Sequence, residues 1–135
     1  MIHSLIGHVE QRDGEIFVVT GEGDSGCVLF GPYMHLSPGS YEVEFFVLPA
    51  ELDHDRTCCV VDVLRHGYAI SVERDFSAGE LVRRNGVVKL RFEVIASDTF
   101  EFRLLATGSV GLMARYRRKL NPLVALPPPA TVPDT

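Results

Sequence analysis

The sequence has no long apolar run and no excess of basic residues. Its apolar stretches fall well short of the ~18 residues that a membrane-spanning helix needs, and the opening MIHSLIGHVEQRDGE lacks the basic start and apolar segment of a secretory signal. The formal net charge is -5, whereas nucleic-acid-binding proteins usually carry a basic balance or a basic face. We therefore predict a cytoplasmic protein with no membrane span and no nucleic-acid partner.

Motifs of metal sites and of common enzyme classes are also missing. The three cysteines, Cys27, Cys58 and Cys59, are odd in number and form no CxxC spacing, which favours buried, reduced thiols over a disulfide framework. Residues 53–58, rich in Asp and His, match no standard zinc spacing, and loop 21–26 lacks the Gly-Lys-Ser/Thr ending of a P-loop. No G-x-S-x-G nucleophile motif occurs. We predict no metal, no cofactor and no catalytic residue, and hence a protein that is not an enzyme.

Helical periodicity is absent from residues 1–120, where short alternating runs recur instead, with turn dipeptides such as Asp13-Gly14, His66-Gly67 and Asn85-Gly86 between them. Eight or nine strands of this size close naturally as two packed layers. The predicted fold is therefore an all-β, two-layer antiparallel β-sandwich of the jelly-roll type. The predicted strands are Leu5–Glu10, Glu15–Thr20, Cys27–Phe30, Ser40–Leu48, Thr57–Leu64, Tyr68–Glu73, Val87–Ile95, Thr99–Leu105 and Val110–Arg117.

The C-terminal residues have a different composition. Residues 121–135 hold five of the eight prolines, and proline fits neither a helix interior nor a central strand. We predict a β-sandwich domain at residues 1–120 and a proline-rich tail or linker at 121–135. Two alternatives stay open for Leu123–Leu126, which either remain in the tail or lie as an extended segment along a neighbour. The basic cluster 115–119 is interpreted as a solvated strand end.

Charged residues alternate with apolar ones along the predicted strands, which predicts a solvated outer sheet face. Its members are Glu42, Glu44, Lys89, Arg91, Glu93, Glu101 and Arg103, while Leu90, Phe92, Val94, Phe100, Phe102 and Leu104 point inward. Asp62 interrupts the apolar run CCVVDVL and needs a partner if it is buried. We predict a structural ion pair between Asp62 and either Arg91 or Arg103.

One stretch carries a family resemblance. Gly31-Pro32-Tyr33, followed by Leu36, Pro38-Gly39 and the alternating Tyr41–Phe45, resembles the L-x-x-G-x-Y-x-V-x-F element of galactose-binding-like, jelly-roll carbohydrate-binding modules. Residues 100–103, Gly108 and Leu112–Tyr116 are similar to the closing strands of those modules. The resemblance covers roughly residues 14–117. It implies a sandwich that binds sugars through aromatic and polar residues on loops or on one sheet face, often attached to bacterial enzymes that build or modify surface polysaccharides.

Five residues are the candidate ligand-binding set: Tyr33, His35, Arg65, His66 and Tyr68. Tyr33 and His35 lie on the short connection between Pro32 and Pro38, and the others flank the Gly67 turn. Aromatic faces and hydrogen-bond donors on rigid turns suit a sugar, because CH groups meet rings and hydroxyls meet fixed polar groups. The predicted partner is a carbohydrate.

The alternative hypothesis is a protein-interaction or oligomerisation scaffold that binds no sugar. Phe46, Leu48 and Met113 fall on otherwise polar strand faces, and an exposed apolar patch there would favour a protein partner, including a homo-oligomer.

Overall fold

The computed structural model describes residues 6–51 and 55–124, which form eleven strands and one short helix. Within these residues, no helix is long and apolar enough to cross a membrane. In chain order the elements are β1 (His8–Arg12), β2 (Glu15–Val19), β3 (Gly26–Leu29), β4 (Met34–Leu36), β5 (Gly39–Pro49), β6 (Thr57–Arg65), β7 (Ala69–Ser77), α1 (Ala78–Arg83), β8 (Val87–Val94), β9 (Asp98–Ala106), β10 (Leu112–Arg115) and β11 (Lys119–Val124).

The first sheet has six strands, with β5 at its centre. β8 pairs with one edge of β5, while β10 and then β11 pair with the other edge, at residues 47–49 and 40–44 respectively. β2 and β1 extend the sheet beyond β10. As predicted, the outer face of this sheet is polar, with ion pairs from Arg91 to Glu42 and from Lys119 to Glu44.

The second sheet has five strands. β3 and β4 pair in succession with one edge of β9, β6 pairs with its other edge, and β7 pairs with β6. The main strand orders of the two sheets are β2-β10-β5-β8 and β3-β9-β6-β7, which is the interleaved order of a jelly roll. The predicted two-layer antiparallel β-sandwich is confirmed.

The core lies between the two sheets, as the alternation predicts. Phe92 of β8 packs against Phe100 and Phe102 of β9 across the sandwich, with ring centroids 5.7 and 5.9 Å apart. Tyr41 stacks on Phe92, and its hydroxyl donates to the Ser37 carbonyl. The six side chains predicted to point inward are all buried.

The outer face of the second sheet confirms one prediction and corrects another. Asp62 forms a two-pronged ion pair with Arg103, with N···O distances of 3.0 and 2.6 Å. Glu101, in contrast, is buried with only 4% of its surface exposed, so its assignment to a solvated face is wrong. The segment before β4 covers it, and the Gly31 N–H donates to its carboxylate.

Three elements escape the sequence analysis: β4, α1 and β11. Residues 121–124, which the sequence analysis assigned to the tail, continue β11 alongside β5, as in the alternative left open for Leu123–Leu126. Residues 125–135 lie outside the part of the chain that the structure describes. Asn85-Gly86 does not join two strands of a hairpin but ends α1, because Gly86 N–H donates to the Leu81 carbonyl.

Candidate functional site

The turn between β6 and β7 presents two of the predicted site residues. His66 and Gly67 have φ angles of 59° and 78°, and the Tyr68 N–H donates to the Arg65 carbonyl at 3.3 Å. Two consecutive residues with positive φ are typical of a type I′ turn, whose twist matches that of a hairpin. The turn predicted at His66-Gly67 is confirmed. It leaves Tyr68 78% exposed.

The His66 side chain is held on both sides. Its Nε2 lies 2.9 Å from Oδ2 of Asp98, at the start of β9, and its ring stacks on Tyr68 with centroids 6.1 Å apart. The His66 N–H donates to the Thr99 carbonyl, and the Thr99 N–H donates to Oδ1 of Asp98. These contacts fix the turn to β9 and hold the imidazole against the Tyr68 ring.

Tyr33 lies on the connection between β3 and β4, which is held at Gly31. The Gly31 N–H donates to Oε2 of buried Glu101 at 2.9 Å, and the Gly31 carbonyl accepts from Nη1 of Arg118 at 2.6 Å. The backbone before Tyr33 is therefore fixed by two charged side chains. The Tyr33 side chain itself is 62% exposed.

The two segments meet because β4 and β6 pair with opposite edges of the same end of β9. A Cβ added at Gly67 would lie 3.8 Å from Cε1 of Tyr33, so the Tyr33 ring lies beside the turn. Tyr33, His66 and Tyr68 thus form one surface, which we call the tyrosine platform.

His35 and Arg65 take different places. His35 is exposed and pairs with Thr99, whose carbonyl accepts the His66 N–H, so it lies next to the platform. Arg65 pairs with Phe100, a core residue. Residues directly opposite on antiparallel strands share a face, so Arg65 lies on the other face of the sheet from His35 and outside the platform.

The platform combines flat apolar surface with fixed polar groups. Two exposed tyrosine rings offer faces and hydroxyls, and the pair of His66 and Asp98 offers a donor and an acceptor at a set distance. Exposed rings beside fixed polar groups suit a ligand bound by ring stacking and a few hydrogen bonds.

Sequence reasoning missed the residues that hold the platform, namely Asp98, Glu101 and Arg118. A Ser-Asp pair before an alternating run, as at Ser97-Asp98, is a turn signal, but it does not reveal which distant side chain the carboxylate contacts. Glu101 and Arg118 each follow an ordinary strand pattern. Their roles depend on the Gly31 backbone, which only the folded chain brings near.

The apolar patch of the scaffold hypothesis is partly covered. Phe46, Leu48 and Met113 are each of intermediate exposure, and the Arg115 guanidinium lies 4.6 Å from the centroid of the Phe46 ring. These side chains do not form a broad exposed apolar surface. No feature of the described chain therefore favours a protein partner at this patch.

Of the two segments considered for ion binding, residues 53–58 are described only in part and loop 21–26 is described in full. Asp53 and His54 lie outside the described residues, and Cys58 is buried in β6. In loop 21–26, Oδ2 of Asp24 accepts the Gly21 N–H at 2.8 Å, which closes the loop on itself.

No family model and no curated protein sequence matches the chain. Solved structures with a similar fold include a carbohydrate-binding module, CBM4, which is 9% identical with a TM-score of 0.57 and covers 86% of this chain and 76% of that chain. The C-terminal CBM6 of the marine laminarinase LamC from Zobellia galactanivorans is 12% identical, with a TM-score of 0.43 over 85% of this chain and 77% of that chain. The C-terminal domain of the sugar-binding protein EclA is 13% identical, with a TM-score of 0.47 over 86% of this chain and 83% of that chain. The fold of this chain is that of a CBM-like β-sandwich.

Proposed function

We propose that this protein is a non-catalytic carbohydrate-binding module that contacts its glycan through the tyrosine platform. The observation that carries the proposal is that two tyrosine rings, 62% and 78% exposed, lie beside the turn whose histidine is fixed by Asp98. The CH face of a sugar stacks on aromatic rings, while its hydroxyls need donors and acceptors at set positions.

The contacts that hold its backbone support this site. The type I′ turn, the contact of His66 Nε2 with the Asp98 carboxylate and the two anchors on Gly31 hold the backbone on both sides of the platform. A surface that is already ordered loses less conformational entropy when it binds a ligand. The likeness in fold to a carbohydrate-binding module is a second, independent support.

We place the module in the cytoplasm, as an accessory to an enzyme that assembles or modifies a bacterial surface polysaccharide. The link to such an enzyme rests on the resemblance of Gly31-Pro32-Tyr33, Leu36, Pro38-Gly39 and Tyr41–Phe45 to such modules. The free thiols of Cys27, Cys58 and Cys59 support a reducing compartment.

A glycan array followed by titration of single-site variants tests the proposal. Tyr33→Ala and Tyr68→Ala should each weaken binding of the selected glycan roughly tenfold, since a lost ring contact is worth about 1 kcal/mol or somewhat more. Tyr33→Phe and Tyr68→Phe keep the ring and serve as matched controls, which should retain most of the affinity. Val9→Ala removes an exposed apolar side chain of β1, in the other sheet, and should leave binding unchanged.

Two results would overturn the proposal. In the first, a glycan binds and both alanine variants bind it as tightly as the parent, which would move the site away from the platform. In the second, the array returns no glycan while light scattering shows a stable oligomer, which would favour the scaffold hypothesis.

A further inference from the structure

The basic cluster near the C-terminus consists of Arg115, Arg117, Arg118 and Lys119, in a chain whose net charge is -5. Nearby carboxylates neutralise these four side chains to different extents. Arg115 pairs with Glu15 at 3.6 Å, and Lys119 reaches Glu44 at 4.0 Å. Arg117 is exposed and Arg118 is partly buried. Within residues 6–51 and 55–124, no carboxylate forms an ion pair with either of these two arginines. The interpretation of the whole cluster as a solvated strand end therefore holds for only part of it.

Arg118 is set into the protein rather than extended into water. Its Nη1 donates to the Gly31 and Phe102 carbonyls, at 2.6 and 2.9 Å, and its guanidinium lies 5.5 Å from the centroid of the Tyr116 ring. Burial lowers the pKa of Arg118, yet an arginine stays protonated at neutral pH. Carbonyl oxygens compensate this charge only in part, because they carry partial charges, and the buried carboxylate of Glu101, which accepts the Gly31 N–H, is the nearby negative charge.

Beside Arg118 the surface opens into a pocket of about 410 Å³. Its walls are the β1–β2 turn with Gly14, Glu15 and Ile16, the corner residue Pro32, and Tyr116 with the two arginines. The volume lies within the range of about 300–1,000 Å³ that is common for small-molecule sites. Ile16 and Pro32 supply apolar surface and the arginines supply positive charge.

The pocket adjoins the tyrosine platform. Pro32 lines the pocket and Tyr33, the next residue, belongs to the platform. The two surfaces therefore meet at one rigid corner, and Arg118 serves both, since it lines the pocket and holds the Gly31 carbonyl just before that corner.

We propose that this pocket binds an anionic substituent of the glycan, a carboxylate or a sulfate ester, whose sugar ring lies against the tyrosine platform; this inference rests on the proposed function. A planar guanidinium offers parallel N–H donors that match the two oxygens of such a group. Arg117, which is exposed and lines the pocket, presents such a guanidinium, while Nη1 of Arg118 already donates to the Gly31 and Phe102 carbonyls and Arg118 adds a second positive charge. The ligand class is thus an acidic or sulfated oligosaccharide.

Ligand pairs that differ only in charge give the sharpest test. An oligogalacturonide is compared with its methyl ester, and a sulfated oligosaccharide with its desulfated form, by calorimetric titration of the full chain. The charged member of at least one pair should bind about tenfold more tightly, as expected for charge-assisted hydrogen bonds. Which pair shows the difference identifies a carboxylate or a sulfate as the group recognised.

Four charge variants then locate the effect. Arg117→Gln should weaken binding of the charged ligand about two- to fivefold, and Glu15→Gln, which removes the carboxylate of the pocket, should strengthen it about twofold. Lys119→Gln makes the same charge change as Arg117→Gln but lies outside the pocket, and it should have the smallest effect. Arg118→Gln should remove the preference for the charged ligand; because that variant could unfold, the opposite signs at Arg117 and Glu15 carry the test alone.

The outcomes separate this inference from the proposed function. If charged and neutral members bind equally and Tyr68→Ala abolishes both, the anionic pocket is overturned while the tyrosine platform stands. Equal losses in Lys119→Gln and Arg117→Gln, with no gain in Glu15→Gln, would indicate general attraction and also overturn the pocket. If the glycan array is blank for neutral, acidic and sulfated sugars alike, both proposals fall.

Discussion

The ion pair between Asp62 and Arg103 accounts for a charge in an otherwise apolar strand. The Asp62 side chain is only 1% exposed, whereas that of Arg103 is 28% exposed. The hydrogen bonds that Arg103 donates to the Asp62 carboxylate raise the pKa of Arg103. The carboxylate has no route to water, so it depends on its partner more than the arginine does.

The two partners should therefore differ in what their removal costs. We expect Arg103→Met to lower the free energy of unfolding by about 3 kcal/mol, because it leaves a buried carboxylate unpaired. Asp62→Asn should lower it by only about 1–2 kcal/mol, since Arg103 can still reach solvent. Urea denaturation measures both values. Arg91→Met is the matched control: its side chain is 78% exposed beside Glu42, and it should cost at most about 0.5 kcal/mol. The reverse order for Asp62 and Arg103 would contradict this account.

Single residues were predictable from the sequence where the answer depended on a strand neighbour. Asp62 and Arg103 are opposite each other on β6 and β9, and an apolar run interrupted by one acid already required such a partner. Glu101 was not predictable in this way. Its burial comes from the Gly31 segment, which lies far from it in sequence and crosses over it only in the folded chain.

Strands with clear alternation were found from sequence, and elements without it were not. β4 has three residues, too few to show a period, and α1 has six. A local signal for α1 was nevertheless present, because Ser77 and Glu80 form a capping box in which each side chain accepts the other's backbone N–H. β11 was hidden by Pro122, which excludes a central strand but is tolerated at an edge.

β11 should set the C-terminal limit of the stable domain. A chain that ends at Val124 keeps every described pair with β5, and we expect it to melt within about 2 °C of the full chain, because a proline-dense terminus makes few ladder hydrogen bonds. A chain that ends at Arg118 loses all of β11, including the half-buried Leu120. That loss of burial and hydrogen bonds, about 3 kcal/mol, should lower Tm by roughly 10 °C. Scanning calorimetry on the two truncated chains measures this difference. Equal melting temperatures would show that β11 does not contribute to stability. A large drop in Tm for the chain that ends at Val124 would assign a docking role to residues 125–135.

At the scale of the whole molecule, the jelly-roll order decides where the candidate site forms. Alternation predicts strands and two layers, but it does not specify which strands become neighbours, because every amphipathic strand can pack on any other. β4 and β6 are separated in sequence by the whole of β5 yet flank the same end of β9. Tyr33 and Tyr68 are therefore brought to one surface only when the strands of the second sheet have paired. For this reason the sequence predicts the residues of the tyrosine platform, but it does not reveal the side chains that hold them, Asp98, Glu101 and Arg118, or the adjoining pocket.

The cysteines should report whether this architecture opens as one unit. Cys58 and Cys59 are fully buried in β6, which pairs on both edges, and hydrogen bonding with Cys58 together with burial raises the pKa of Cys59. Cys27 is only half-buried near the sheet edge, and burial raises its pKa as well. The thiolate is the reactive form, and a reagent must also reach the sulfur. A disulfide reagent should therefore label Cys27, which is partly exposed, in the native state. It should reach the buried Cys58 and Cys59 only through global unfolding. The free energy of opening obtained from the slow labelling of Cys58 and Cys59 should then depend on urea concentration with the same slope as the free energy of equilibrium unfolding. Cys27→Ser should remove the fast labelling phase and leave the slow phase unchanged. Labelling of Cys59 with little dependence on urea would instead reveal local opening between β6 and β7.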